Sequence, residues 1–97
     1  MKVNFYATFR PLVGSKDVDI PLRDGATLQE LVAATIERFP ALGPMLLNDA
    51  GEIARHIQLC VNGRSALFLD EGLDTPLAPT DKIDIFPAVA GGALEDL

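Results

Sequence analysis

The chain has 97 residues, 48% of them hydrophobic, and eight Lys and Arg against fourteen Asp and Glu leave a formal net charge of -6. That length suits one domain with its own core, and the apolar content excludes a disordered chain. Its single cysteine, Cys60, excludes an internal disulfide, a cysteine-ligated iron–sulfur cluster and a Cys-rich zinc site.

The cations Arg10, Lys16, Arg23 and Arg38 stand among acids along the chain, which argues against a phosphate backbone as a direct ligand. An acidic surface suits solubility and docking onto basic protein partners. No segment reaches the roughly 20 apolar residues needed to span a bilayer, and MKVNFYATFR lacks a signal-peptide pattern. The expectation is a cytoplasmic protein that binds neither nucleic acid nor membrane.

Lys2 to Phe9 alternates, with Val3, Phe5, Ala7 and Phe9 on one face and Asn4, Tyr6 and Thr8 on the other, which predicts a half-buried strand. Arg10 to Ser15, with Pro11 and Gly14, predicts a hairpin connection. Val18, Ile20 and Leu22 predict a second strand, and Pro21, which has no amide donor, favours a sheet edge. Thr27-Leu28-Gln29-Glu30 fits a capping box, in which hydroxyl and carboxylate each satisfy a free amide of a helix start. Leu28, Leu31, Val32, Ile36 and Phe39 continue at helical spacing until Pro40.

A further helical turn is expected near Pro44, and a chain reversal at Asn48 to Gly51. Ile57, Leu59 and Val61 mark a third strand. Asn62-Gly63 is a strong hairpin signal because both residues tolerate positive φ. A short strand over Ser65 to Phe68, an irregular crossing from Leu73 to Thr80 and a last strand over Lys82 to Phe86 complete the order. One amphipathic helix covering a mixed sheet buries both apolar faces. The predicted class is α+β, a β-grasp or ubiquitin-like fold over residues 1–87. Parallel pairing of the first and last strands is compatible with the sequence but not required by it.

No catalytic constellation is evident, and no metal-ligand spacing. His56, the only histidine, suits a solvent-facing place at a strand start. Cys60 lies between Leu59 and Val61 on the opposite sheet face, with no cation or histidine nearby to activate it. Asp81 and Asp84 suit a solvated surface. By alternation Tyr6, Cys60 and Phe86 point away from the helix side; they form either an exposed patch for a partner or a surface covered by the chain's own irregular segments. The run Ala88-Val89-Ala90-Gly91-Gly92 differs from the turn glycines. Glycine has no Cβ to obstruct close approach, so residues 88–92 suit a slender tail entering another protein's cleft. The plain alternative is an ordinary frayed terminus.

In their order, MKVNFYATFRPLVG, TLQELVAATIERFP, VNG and LAPTDKIDIFPAVAGG carry a resemblance that spans Met1 to Gly92. The chain resembles the MoaD/ThiS family of ubiquitin-like sulfur carriers, which includes the small subunit of molybdopterin synthase. The resemblance implies a carrier and no enzyme, with no bound cofactor. A ubiquitin-activating-type partner would use ATP to adenylate the carboxylate of Gly92, and a sulfur donor would convert it to a thiocarboxylate. Val89, Ala90 and Gly91 would form the inserted arm. The large subunit of molybdopterin synthase, or another sulfur-accepting enzyme, would receive the sulfur. Thiamine, cysteine and thiolated-tRNA pathways use similar carriers.

The sequence departs from that pattern by continuing Ala93-Leu94-Glu95-Asp96-Leu97, and inside a chain Gly92 has an amide and no carboxylate to adenylate. Three readings stand: a precursor clipped by a processing peptidase, a permanent extension on a binding module, or a segment foreign to the protein. A ubiquitin-like modifier or non-transferring binding module is the alternative to sulfur carriage.

Overall fold

The computed structural model describes residues 1–87; the expectations for the tail at residues 88–92 and the extension at 93–97 lie outside them. Val3 and Phe5 of β1 (Lys2–Phe5) are fully buried on one face, while Lys2 and Asn4 take the other. The strand is shorter than its alternation suggests. Ala7 adopts φ 53°, the Phe9 amide bonds the Tyr6 carbonyl at 3.2 Å, and the chain turns into helix α1 (Phe9–Val13). Phe9 still reaches the core from the helix, which is why the alternation carries on past the strand's end. Gly14 closes α1 at φ 82°, a left-handed cap that a residue with a Cβ adopts only under strain.

Strand β2 (Asp17–Asp19) returns antiparallel to β1, with Asn4 opposite Asp17 and Lys2 opposite Asp19. It ends before Pro21, in keeping with that residue's missing donor. Helix α2 (Leu28–Arg38) starts at Thr27, whose hydroxyl oxygen accepts the Glu30 amide at 3.1 Å. The reciprocal half of the capping box is replaced: the Glu30 carboxylate accepts from Arg23 Nη2 at 2.6 Å. That pair is exposed and contributes a few tenths of a kcal/mol. Leu28, Leu31 and Val32 of α2 are buried, and so is Thr35, whose hydroxyl donates to the Leu31 carbonyl at 2.7 Å.

After Phe39 the chain makes a 3-10 turn (Pro40–Leu42) and the short helix α3 (Gly43–Leu46). Asn48 then organises the next reversal, its Oδ1 accepting the amides of Ala50 and Glu52. Strand β3 (Ile57–Val61) joins β4 (Arg64–Ser65) through Asn62 and Gly63 at φ 53° and 83°, the primed turn that matches strand twist. The expected strand over Ser65 to Phe68 keeps only its first residue. Ser65 caps a 3-10 turn (Ala66–Phe68), which leaves Leu67 and Phe68 89% and 69% exposed. A further 3-10 turn (Gly72–Asp74) lies in the crossing to β5 (Ile83–Pro87).

The sheet has the order β2-β1-β5-β3-β4. β1 and β5 are parallel central neighbours, and β3 runs antiparallel to β5. Val3, Phe5, Leu59, Val61, Ile83 and Ile85 share one cluster with Leu28, Leu31 and Val32 of α2. Each such side chain stabilises the fold by about 1.5–3 kcal/mol through burial. The result is a β-grasp fold, with one main helix over one face of a mixed sheet and the other face left to polar and aromatic residues.

Candidate functional site

The open face follows from register. Asn4 stands beside Asp84 and Asp84 beside Cys60, which sets one row across the sheet centre, and Phe86 stands beside Gln58 in the next row on the same face. Asp84 is 5% exposed, contrary to the expected solvated position. It lies on the central strand, where the side chains of both neighbouring strands flank it. Its Oδ1 accepts from Asn4 Nδ2 at 3.1 Å and from the Tyr6 hydroxyl at 2.9 Å. Asp81, by contrast, serves the turn before β5: its carboxylate accepts from Asn62 Nδ2 and from the Ala78 amide.

Tyr6 and Phe86 meet as expected. Their rings stack with centroids 4.3 Å apart and planes 20° from parallel, and both residues are half-buried. The Arg10 guanidinium sits 5.5 Å from the Tyr6 ring centroid, held by a 2.9 Å bond from Nε to the Phe5 carbonyl. Cation, ring and ring form a fixed stack that leads to Pro87, the last described residue before the glycine pair. Its hydrogen bond to Asp84 holds the Tyr6 phenol above its ordinary pKa, with burial and the Asp84 charge adding to the effect and Arg10 opposing it.

Cys60, the third residue expected in the patch, is 6% exposed and lies within the sheet surface, so it offers no contact area. Burial pushes its thiol pKa up, and the Asp84 charge pushes it further, while a 3.8 Å contact from Gln58 Nε2 partly offsets both. A raised thiol is a poor nucleophile at neutral pH. His56 is exposed at the start of β3. The patch is therefore an aromatic stack on a buried carboxylate. Asn4, Arg10 and Asp84 join the site as well; alternation places Asn4 and Asp84 on this face, but only the strand order brings them together.

Gly92, Gly91, Ala90 and Val89 lie outside the described residues. Among the described residues, no group of three or more His, Cys, Asp or Glu side chains could hold a metal ion, and no helix is long and apolar enough to cross a membrane.

A family model described as the ThiS family matches residues 3–92, and its last matched residue is Gly92. Small archaeal modifier protein 3 of Haloferax volcanii is 35% identical, over 95% of this chain and 98% of the relative. The crystal structure of SAMP1, also from Haloferax volcanii, superposes with a TM-score of 0.82 at 29% identity, covering 95% of this chain and 98% of that one. CysO-type architecture is similar too: the Amycolatopsis orientalis BexX/CysO complex gives a TM-score of 0.76 at 28% identity, covering 94% of this chain and 98% of the matched chain. With the fold, the register and a match running to the second glycine, the chain belongs to the ThiS family of ubiquitin-like sulfur-carrier domains.

Proposed function

We propose that this protein carries sulfur on the carboxylate of Gly92 after residues 93–97 are removed by a peptidase. The observation that carries the reading is the family match, which covers residues 3–92 and stops at the second glycine. An activating-type partner adenylates the freed carboxylate. A carboxylate oxygen attacks the α-phosphate of ATP, pyrophosphate leaves, and the resulting anhydride makes AMP the leaving group at the acyl carbon. A hydrosulfide equivalent then displaces AMP and leaves a thiocarboxylate. The chain supplies no catalytic group to these steps. It supplies an end thin enough to enter the partner's site, because Gly91 and Gly92 have no side chain beyond a hydrogen. The stack of Tyr6 and Phe86 forms the docking surface at the root of that arm. The sulfur passes to a precursor held by the large subunit of molybdopterin synthase, a reading supported by the likeness of the quoted segments to that enzyme's small subunit.

Pyrophosphate exchange tests this. Mixed with the activating enzyme of the same cell and ATP, the chain ending at Gly92 exchanges label and the full-length chain does not. Equal exchange by both removes the precursor reading.

A second reading has its own support, since the similar proteins of Haloferax volcanii are called modifiers. There a lysine amine attacks the acyl carbon of the Gly92 adenylate and AMP leaves, giving an isopeptide bond. Peptide mapping for lysines carrying residues 83–92, the remnant left by cleavage after Lys82, separates the two.

A further inference from the structure

Half of this protein's cations collect where its overall charge would not place them. A depression of about 300 Å³ on the open sheet face is lined by Lys2, Arg10, Lys16 and Lys82, four of the eight Lys and Arg in the chain. Asp17 is the one carboxylate in the lining, and its contact with Lys2 is loose at 3.9 Å. Among the described residues, Arg10, Lys16 and Lys82 make no salt bridge. In sequence these cations are far apart. The antiparallel turn from β1 to β2 brings Lys16 back towards Asn4, and the parallel pairing of β1 with β5 sets Lys82 alongside Lys2. A chain of net charge -6 thus presents one locally positive hollow. Tyr6 belongs both to that hollow and to the stack with Phe86.

We infer that this hollow docks an acidic segment of a partner protein, whose carboxylates meet Lys2, Lys16, Lys82 and Arg10 while its apolar groups cover the Tyr6–Phe86 stack. This deepens the carrier reading by stating what the partner's surface carries. A protein segment fits better than a nucleic acid. The cations ring a compact hollow and do not form a stripe, Asp17 stands among them, and the remaining surface repels a long polyanion. Arg10 is already fixed by the Phe5 carbonyl and the Tyr6 ring, so binding orders it no further. The lysines are exposed point charges that steer an approaching anionic surface.

The probe is a hexaglutamate peptide titrated into the full-length, isotope-labelled chain, read by amide chemical shifts. The amides of Asn4, Tyr6, Lys16 and Lys82 should move together, and affinity should fall about tenfold between about 50 and 300 mM salt as the charges are screened. Lys16→Glu with Lys82→Glu should abolish the shifts, Lys16→Arg with Lys82→Arg should keep them, and unchanged far-ultraviolet circular dichroism in both confirms folding. No shift, or shifts that survive charge reversal, overturns the inference. Tighter binding of a twelve-residue oligothymidylate than of hexaglutamate assigns the hollow to nucleic acid and overturns it as well. Movement of the same amides when residues 93–97 are removed, with no peptide present, assigns the hollow to the chain's own Glu95 and Asp96, against a partner. None of these readouts involves activation of Gly92, so the docking inference and the sulfur-carrier reading fail separately.

Discussion

Replacing Asp84 tests the physics of the open face. Its Oδ1 accepts two hydrogen bonds, from Asn4 and Tyr6, at a position only 5% exposed on the central strand. A hydrogen bond to a charged group contributes about 1.5–3 kcal/mol, but both donors here are half-buried and water can replace part of what they lose. Asp84→Ala should therefore cost about 2 kcal/mol, which for a domain of this size lowers Tm by about 8–16 °C. Tyr6→Phe removes one of the two bonds and should cost about 1 kcal/mol; the double variant should cost less than the sum, because the two changes share a partner. The chain contains one tyrosine and no tryptophan, so tyrosinate absorbance reports Tyr6 alone. In the native protein its pKa is raised, chiefly by the bond to Asp84. The folded state then holds the phenolic proton more tightly than the unfolded state. The stability this brings is complete below the unfolded pKa and is lost as pH rises through the folded value. Asp84→Asn should bring the midpoint back towards that of the unfolded chain and flatten the alkaline loss of stability. A midpoint unmoved by Asp84→Asn, together with an Asp84→Ala cost below about 0.5 kcal/mol, would refute the assignment of Asp84 as the group that holds Tyr6.

Thr27→Ala removes the oxygen that accepts the Glu30 amide and should lower stability by about 1 kcal/mol in chemical denaturation, with an unchanged m-value. Gly63→Ala places a Cβ in a turn at φ 83° where no neighbouring atom obstructs it, so its cost of about 1–2 kcal/mol should come from backbone strain alone. Cys60, buried and with its thiol pKa raised, should react with iodoacetamide in the native state at least about a hundredfold more slowly than in denaturant at the same pH. Comparable rates would place the thiol at the surface.

The elements legible in the sequence were those decided by neighbours along the chain. The Thr27 cap, the Leu28 to Val32 stripe and the Asn62-Gly63 turn depend on contacts a few residues apart; the stripe and the turn take the expected form, and the cap does so in its hydroxyl half, the Glu30 carboxylate turning to Arg23 instead. Strand β1 stops short of Phe9 and strand β4 short of Phe68 for different reasons. Phe9 is buried whether it continues β1 or enters from α1, so burial alone could not tell the two apart. Ser65 still pairs with Cys60, but its hydroxyl accepts the Leu67 amide and starts a 3-10 turn in place of further strand, which turns Leu67 and Phe68 outwards. The fate of Asp84 and the gathering of Lys2, Lys16 and Lys82 depend on β1 and β5 being neighbours, a contact across some eighty residues. Alternation gave the face of each residue, but could not say who stood beside it.

Sulfur carriage on Gly92 is tested most directly by intact mass measurement of the protein purified from its native cell under conditions that preserve thioacids. The account predicts a chain ending at Gly92, a fraction of it with one terminal oxygen replaced by sulfur. A population in which every molecule retains Leu97 contradicts it.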